Sequence, residues 1–189
     1  MNGVALVRDR IAAVGAGARA LIEQADGLDW ASPVLPGANP LGFTLWHLPR
    51  SIDWIVNTSI RGAAEVVDRA EFAGLPDPDR YGFGTGLSAD DAATVAASVD
   101  RTCLLAYSTA VHAVADEWLA TLSDTDLDVP APGFDERQHR RPAYARPEAL
   151  AEIPGFGDFP IGVLLLRPAI SHQFRHMGEL DVLIQQAKR

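Results

Sequence analysis

Val4, Val7, Ile11, Val14, Ala18 and Leu21 follow one another at intervals of three and four residues. That spacing lines one face of an α-helix and cannot line one face of a strand, where the period is two. Leu41, Leu45, Leu48, Ile52 and Ile55 continue the theme, an alanine-rich pattern runs through Val95, Val99, Leu105, Val111, Val114 and Leu119, and helical periodicity returns in IGVLLLRPAISHQFRHMGELDVLIQQ after Pro160. No segment alternates convincingly in the manner of a strand. The expected fold class is therefore all-α, a four-helix bundle in which each apolar stripe is buried against its neighbours.

The helices are expected at about residues 3–25, 40–69, 89–122 and 160–187, joined by long loops. Asn39 before Pro40 suits a helix start, because the Asn oxygen can cap free amides and proline's missing N–H is least needed at the first helical position. Ser88 with Asp91 approximates a capping box. Pro49 and Pro168 each remove an interior hydrogen bond, which predicts a kink near His47 and another in the last helix. The turn-rich stretch before Pro40 and residues 70–87 read as connections. Residues 123–159, with SDTDLD and a basic cluster, read as an elaborated surface loop with one short helix near 147–152. A loop of that length often covers a site. The 189 residues show no internal repeat, so a single domain over 1–189 is expected.

Composition removes several classes of function. With 48% apolar and 22% charged residues the chain is too apolar for wholesale disorder, and it has no block of ~20 uncharged apolar residues to span a bilayer. The net charge of −9 repels phosphate backbones, which excludes nucleic acid as a partner. The single cysteine, Cys103, cannot close an intrachain disulfide or build a thiolate cage, and the charges in MNGVALVRDR interrupt what a secretory signal would keep apolar. A cytoplasmic protein is expected.

Chemistry concentrates in the histidines. His172 and His176 in SHQFRHMGE sit at i and i+4 of one helix, where both imidazoles can point at one ion. Glu179, three residues on, has the reach to be a further ligand, an acceptor that orients an imidazole, or a general base. His47 lies in FTLWHLPRSIDW, within the most apolar helix, and a bundle core lets side chains of facing helices converge on one metal.

LWHLPRSIDW together with ISHQFRHMGELDVLI resembles the DinB/YfiT-like family of four-helix metalloproteins. The resemblance implies that His47, His172 and His176 bind a divalent metal at one end of the bundle. It also implies metal-dependent transfer or isomerisation with a low-molecular-weight thiol such as mycothiol or bacillithiol, acting on a small-molecule substrate, and a homodimer paired through helix faces. Related iron-dependent sulfoxide synthases carry HxxxHxE, whereas here the glutamate falls one residue later, which argues against oxygen activation. Three imidazoles leave a coordination position open, the mark of a catalytic ion, and nitrogen donors suit zinc first and nickel second. A non-catalytic helical binding or stress-response protein with a structural or vestigial ion would share the fold and lack the open position.

Near His47, Arg50 at i+3 is a candidate to grip a substrate or thiol carboxylate, with a simple intrahelical pair to Asp53 as the competing role. Trp46 and Trp54 are expected in the core or the pocket wall, and Cys103 as a small buried residue. His112 is expected to be partly exposed. Glu136 and His139 form an ExxH spacing that lacks the second copy a di-iron site requires. Arg137, Arg140 and Arg141 are expected to form a solvated segment.

Overall fold

The computed structural model describes residues 2–189. Helix α1 spans Gly3–Gln24 and is capped by the Asn2 side chain, which accepts the Ala5 N–H at 2.8 Å. Helix α2 spans Leu41–Asp53 and widens without a break into π-helical geometry over Trp54–Arg61. Short α3 (Pro78–Tyr81) follows, then α4 (Ala89–Ser98), α5 (Arg101–Leu119), α6 (Phe134–Arg137) and α7 (Pro147–Ala151). Helix α8 (Ile161–Leu166) runs through a π-helical segment, Arg167–Ser171, into α9 (His172–Ala187). Among the described residues there is no strand, only an isolated bridge between Pro130 and Pro160. Among the described residues no helix is long and apolar enough to cross a membrane.

Every residue of α2 is buried, because α2 is packed against α1, α4, α5 and α9. Glycines allow one of these approaches and that of α1 to α5. A Cβ on Gly42 would lie 2.8 Å from the Ala96 carbonyl oxygen of α4, and one on Gly15 of α1 would lie 2.6 Å from the His112 ring of α5. His112 is thus 8% exposed and belongs to the interior. This corrects its expected partial exposure, because the missing side chain at Gly15 makes room for the imidazole.

Three boundaries differ from the periodic reading. The third helix divides at Val99, where Asp100 turns out of the helix and caps a new one by accepting the Cys103 N–H at 2.8 Å. The second helix stops at Arg61, because Gly62 takes a left-handed φ of 68° and Ala63 donates back to the Asn57 carbonyl at 2.8 Å. Pro40, with no side-chain hydrogen bond, holds the cap position of α2 in place of Asn39. The helix also runs on past Pro49 to Asp53 before its winding changes.

The basic cluster is structural where a solvated segment was expected. Arg137 Nη1 donates to the carbonyls of Ser59 and Ile60 at 3.0 and 2.7 Å, and Arg140 Nη1 to that of Gly62 at 2.8 Å. These cations meet the orphan carbonyls at the end of the π-helical segment, where the helix dipole also favours them. Arg141 forms ion pairs with Glu65, Asp68 and Asp79.

Candidate metal centre

Helix α2 brings His47 to face the start of α9, where His172 and His176 lie one turn apart. One nitrogen from each of the three imidazoles lies within 4.8 Å of the others. Ring centroids are separated by 5.2 Å for His47 and His172, 5.1 Å for His47 and His176, and 4.5 Å for His172 and His176. His47 and His176 are 6% and 9% exposed. His172 is half-buried at the mouth of the cluster.

Hydrogen bonds set the ring orientations. His47 Nδ1 donates to the Phe83 carbonyl in a short contact, which leaves its Nε2 as a lone pair aimed at His172 Nε2, 2.9 Å away. His176 Nδ1 donates to a Glu179 carboxylate oxygen at 3.0 Å, which leaves its Nε2 free in the same way. An imidazole whose far N–H rests on a carbonyl or carboxylate is the usual state of a histidine ligand. Of the three roles open to Glu179, the geometry is that of an acceptor orienting an imidazole.

Burial, reinforced by the neighbouring rings, pushes the His47 imidazole down to about 3. Burial, then His176 and Arg175, pushes His172 down to about 4. Both rings are neutral near pH 7, the form that can donate a lone pair to an ion. The Nε2 gap of 2.9 Å between His47 and His172 is a direct N–H···N contact. Tetrahedral ligands of one zinc ion stand roughly 3.4 Å apart, so the rings need part by only ~0.5 Å to share one.

Arg50 is placed elsewhere than the sequence suggested. It is fully buried, and its five N–H groups all meet protein acceptors. Nε donates to the Gly82 carbonyl at 3.1 Å. Nη1 donates to Asp53 and the Tyr107 hydroxyl at 3.2 and 2.9 Å, and Nη2 to Glu65 and the Tyr144 hydroxyl at 3.1 and 2.7 Å. Tyr107 passes its proton on to Asp53, and Tyr144 to Glu65. No donor is left for an outside carboxylate, so the pairing with Asp53 prevails, enlarged into a closed network. Burial pushes the Glu65 carboxyl up, but Arg50 and Arg141 outweigh it and hold the group below its usual range.

The network still bears on the cluster. Arg50 holds the carbonyl of Gly82, and the next carbonyl, that of Phe83, holds His47. Gly84, at φ 100°, lets this loop lie flat on α2, and a Cβ there would be 3.1 Å from His47 Nδ1. Sequence reasoning missed Phe83 as a functional residue because its contribution is a backbone oxygen. The glycines flanking it were the only available signal.

The remaining residues fall outside the cluster. His139 is exposed on the surface, and Cys103 is half-buried, where burial pushes its thiol up. Trp46 is in the core, and Trp54 stacks on Phe83 at 4.0 Å beside the cluster. The chain matches no protein-family model and no curated protein.

Proposed function

We propose that the chain is a four-helix bundle of the DinB/YfiT type that binds one divalent transition metal through His47, His172 and His176. In this reading it acts as a thiol S-transferase or thiol-dependent isomerase on a small metabolite. The observation that carries the metal site is the pairing of both His47 and His176, at Nδ1, with an oxygen acceptor, which turns two lone pairs toward His172. The donor set of neutral nitrogens fits zinc first and nickel second.

A bound ion would hold an incoming thiol, such as mycothiol or bacillithiol, as its thiolate at neutral pH. The chain's own residues prepare the site for that. The Phe83 carbonyl fixes the His47 tautomer, Glu179 holds the proton on His176 Nδ1, and the stacked Trp54 and Phe83 form an apolar wall beside His172. Half-exposed His172 faces the side from which a molecule can enter.

Metal analysis of protein purified without a histidine tag tests this reading. About one transition ion per chain is expected, with loss of the ion in His47→Ala and in His172→Ala. Metal retained in both variants removes the assignment. Loaded protein incubated with mycothiol or bacillithiol and a panel of electrophiles should give thiol adducts or isomerised product. Silence across the panel with the ion in place would leave a binding protein with a structural ion.

A further inference from the structure

A cavity of about 430 Å³ opens beside His172, within the roughly 300–1,000 Å³ usual for small-molecule sites. Its lining combines two kinds of chemistry. Trp54, Phe83 and Phe156, all nearly buried, form an apolar wall. Arg167 and Arg175, eight residues apart on the helical run that carries His172, also line it. Ser171, midway between them in the sequence, turns its hydroxyl back to the Arg167 carbonyl at 3.0 Å.

Neither arginine has a carboxylate partner among the described residues, although acidic side chains outnumber basic ones by 25 to 16. Arg8, Arg50, Arg101 and Arg141 all have one. Arg167 is held at the cavity wall by its guanidinium lying 5.4 Å over the Phe156 ring. The one carboxylate on the lining, Glu152, forms no ion pair with either cation. Two guanidinium charges against one carboxylate leave a net charge of one, which matches a monoanion better than a dianionic phosphate.

We propose that this cavity binds a small organic carboxylate, its anionic group between Arg167 and Arg175, its apolar body against Trp54, Phe83 and Phe156, and its far end at His172. The carboxylate grip first sought at Arg50 is thereby assigned to the last helix. The inference rests on the metal-site reading for what happens at His172, whereas the anion grip stands on the arginines alone. Planar guanidinium groups bind carboxylates through paired, charge-assisted hydrogen bonds, and the aromatic wall adds apolar area next to them.

The test titrates the full-length, untagged protein with benzoate and with uncharged benzamide by calorimetry, once metal-loaded and once after chelation. Benzoate is expected to bind in both states, with benzamide about tenfold weaker or worse. The double variant Arg167→Gln/Arg175→Gln should weaken benzoate by about tenfold and leave benzamide unchanged. Both side chains are exposed, so the variant should fold, and its circular dichroism and melting curve are checked alongside. Equal affinity for the two probes, undiminished benzoate binding in the double variant, or no benzoate binding at millimolar concentration overturns the proposal. Chelated protein reports the arginines without the ion, so a failed metal assignment leaves this result intact and readable.

Discussion

Arg50 Nε donates to the carbonyl of Gly82 at 3.1 Å, one residue before the carbonyl that receives His47. A buried charge network on α2 therefore fixes the loop that orients a histidine of the same helix. Arg50 acts as a positioning residue, since it touches the backbone beside the cluster and not the cluster itself.

Arg50→Lys keeps the charge but offers three donors in place of five, so it strands the Gly82 carbonyl or a tyrosine hydroxyl and leaves Asp53 and Glu65 imperfectly paired. The expected cost is on the order of 3–5 kcal/mol in denaturant unfolding. Where the variant still folds, metal affinity should fall about tenfold through the released Phe83 loop. Unaltered stability would show that the network does not hold the fold.

Glu179→Gln removes the charged acceptor from His176 Nδ1. Its side chain is 37% exposed, so stability should change little. Metal affinity should fall by about 10–100-fold, read by competition with a chelator. A wild-type affinity would reduce the contact with His176 to a surface pairing.

Gly84→Ala places a methyl group 3.1 Å from His47 Nδ1 and from the Phe43 and Trp46 rings, at a φ of 100° that disfavours alanine. Strain and crowding together should cost about 1–3 kcal/mol. The same substitution should impair metal binding, whereas Gly74→Ala, with nothing within 4 Å, should leave both measurements near wild type.

His112 gives acid sensitivity remote from the cluster. Burial is the main cause that pushes its imidazole down to about 4 from the usual 6.5, although its Nδ1 donates to the Ser108 carbonyl at 2.7 Å. The unfolded chain takes up this proton first, so the stabilising contribution is complete above pH 6.5. It drains away as the pH falls toward 4, by up to about 3 kcal/mol. In His112→Leu the loss of unfolding free energy between pH 7 and 4.5 should be visibly smaller than in the wild type. Equal losses would mean that His112 carries its charge in the folded protein.

The helices and the pairing of His172 with His176 were legible because both follow from local spacing, whereas His47, 125 positions from His172, was placed beside them by the resemblance of its motif. The stripe through Val4, Ile11 and Val14 needs only helical period, and His172 with His176 needs only one turn. The fate of Arg50 was hidden because its partners Glu65, Tyr107 and Tyr144 lie 15, 57 and 94 positions away along the chain. The break at Val99 was obscured for another reason. The alanine-rich run carries no glycine or proline at the break, so nothing in its composition marks the point where Asp100 leaves one helix and caps the next. Likewise, a run of arginines reads as solvated until the carbonyls of Ser59, Ile60 and Gly62 are seen to end beneath them.

The wide turn over Arg167–Ser171 has a consequence for how the last helix is aimed. A π-helical turn accommodates about one residue more than an α-helical one, and one residue corresponds to ~100° of rotation about the axis. Rewinding the same five residues, Arg167–Ser171, as an ordinary α-helix would swing both imidazoles about a quarter-turn relative to α8. Helical content would survive, and the meeting point with position 47 would be lost. The direction of the donors is thus set by how widely the residues just upstream of them are wound.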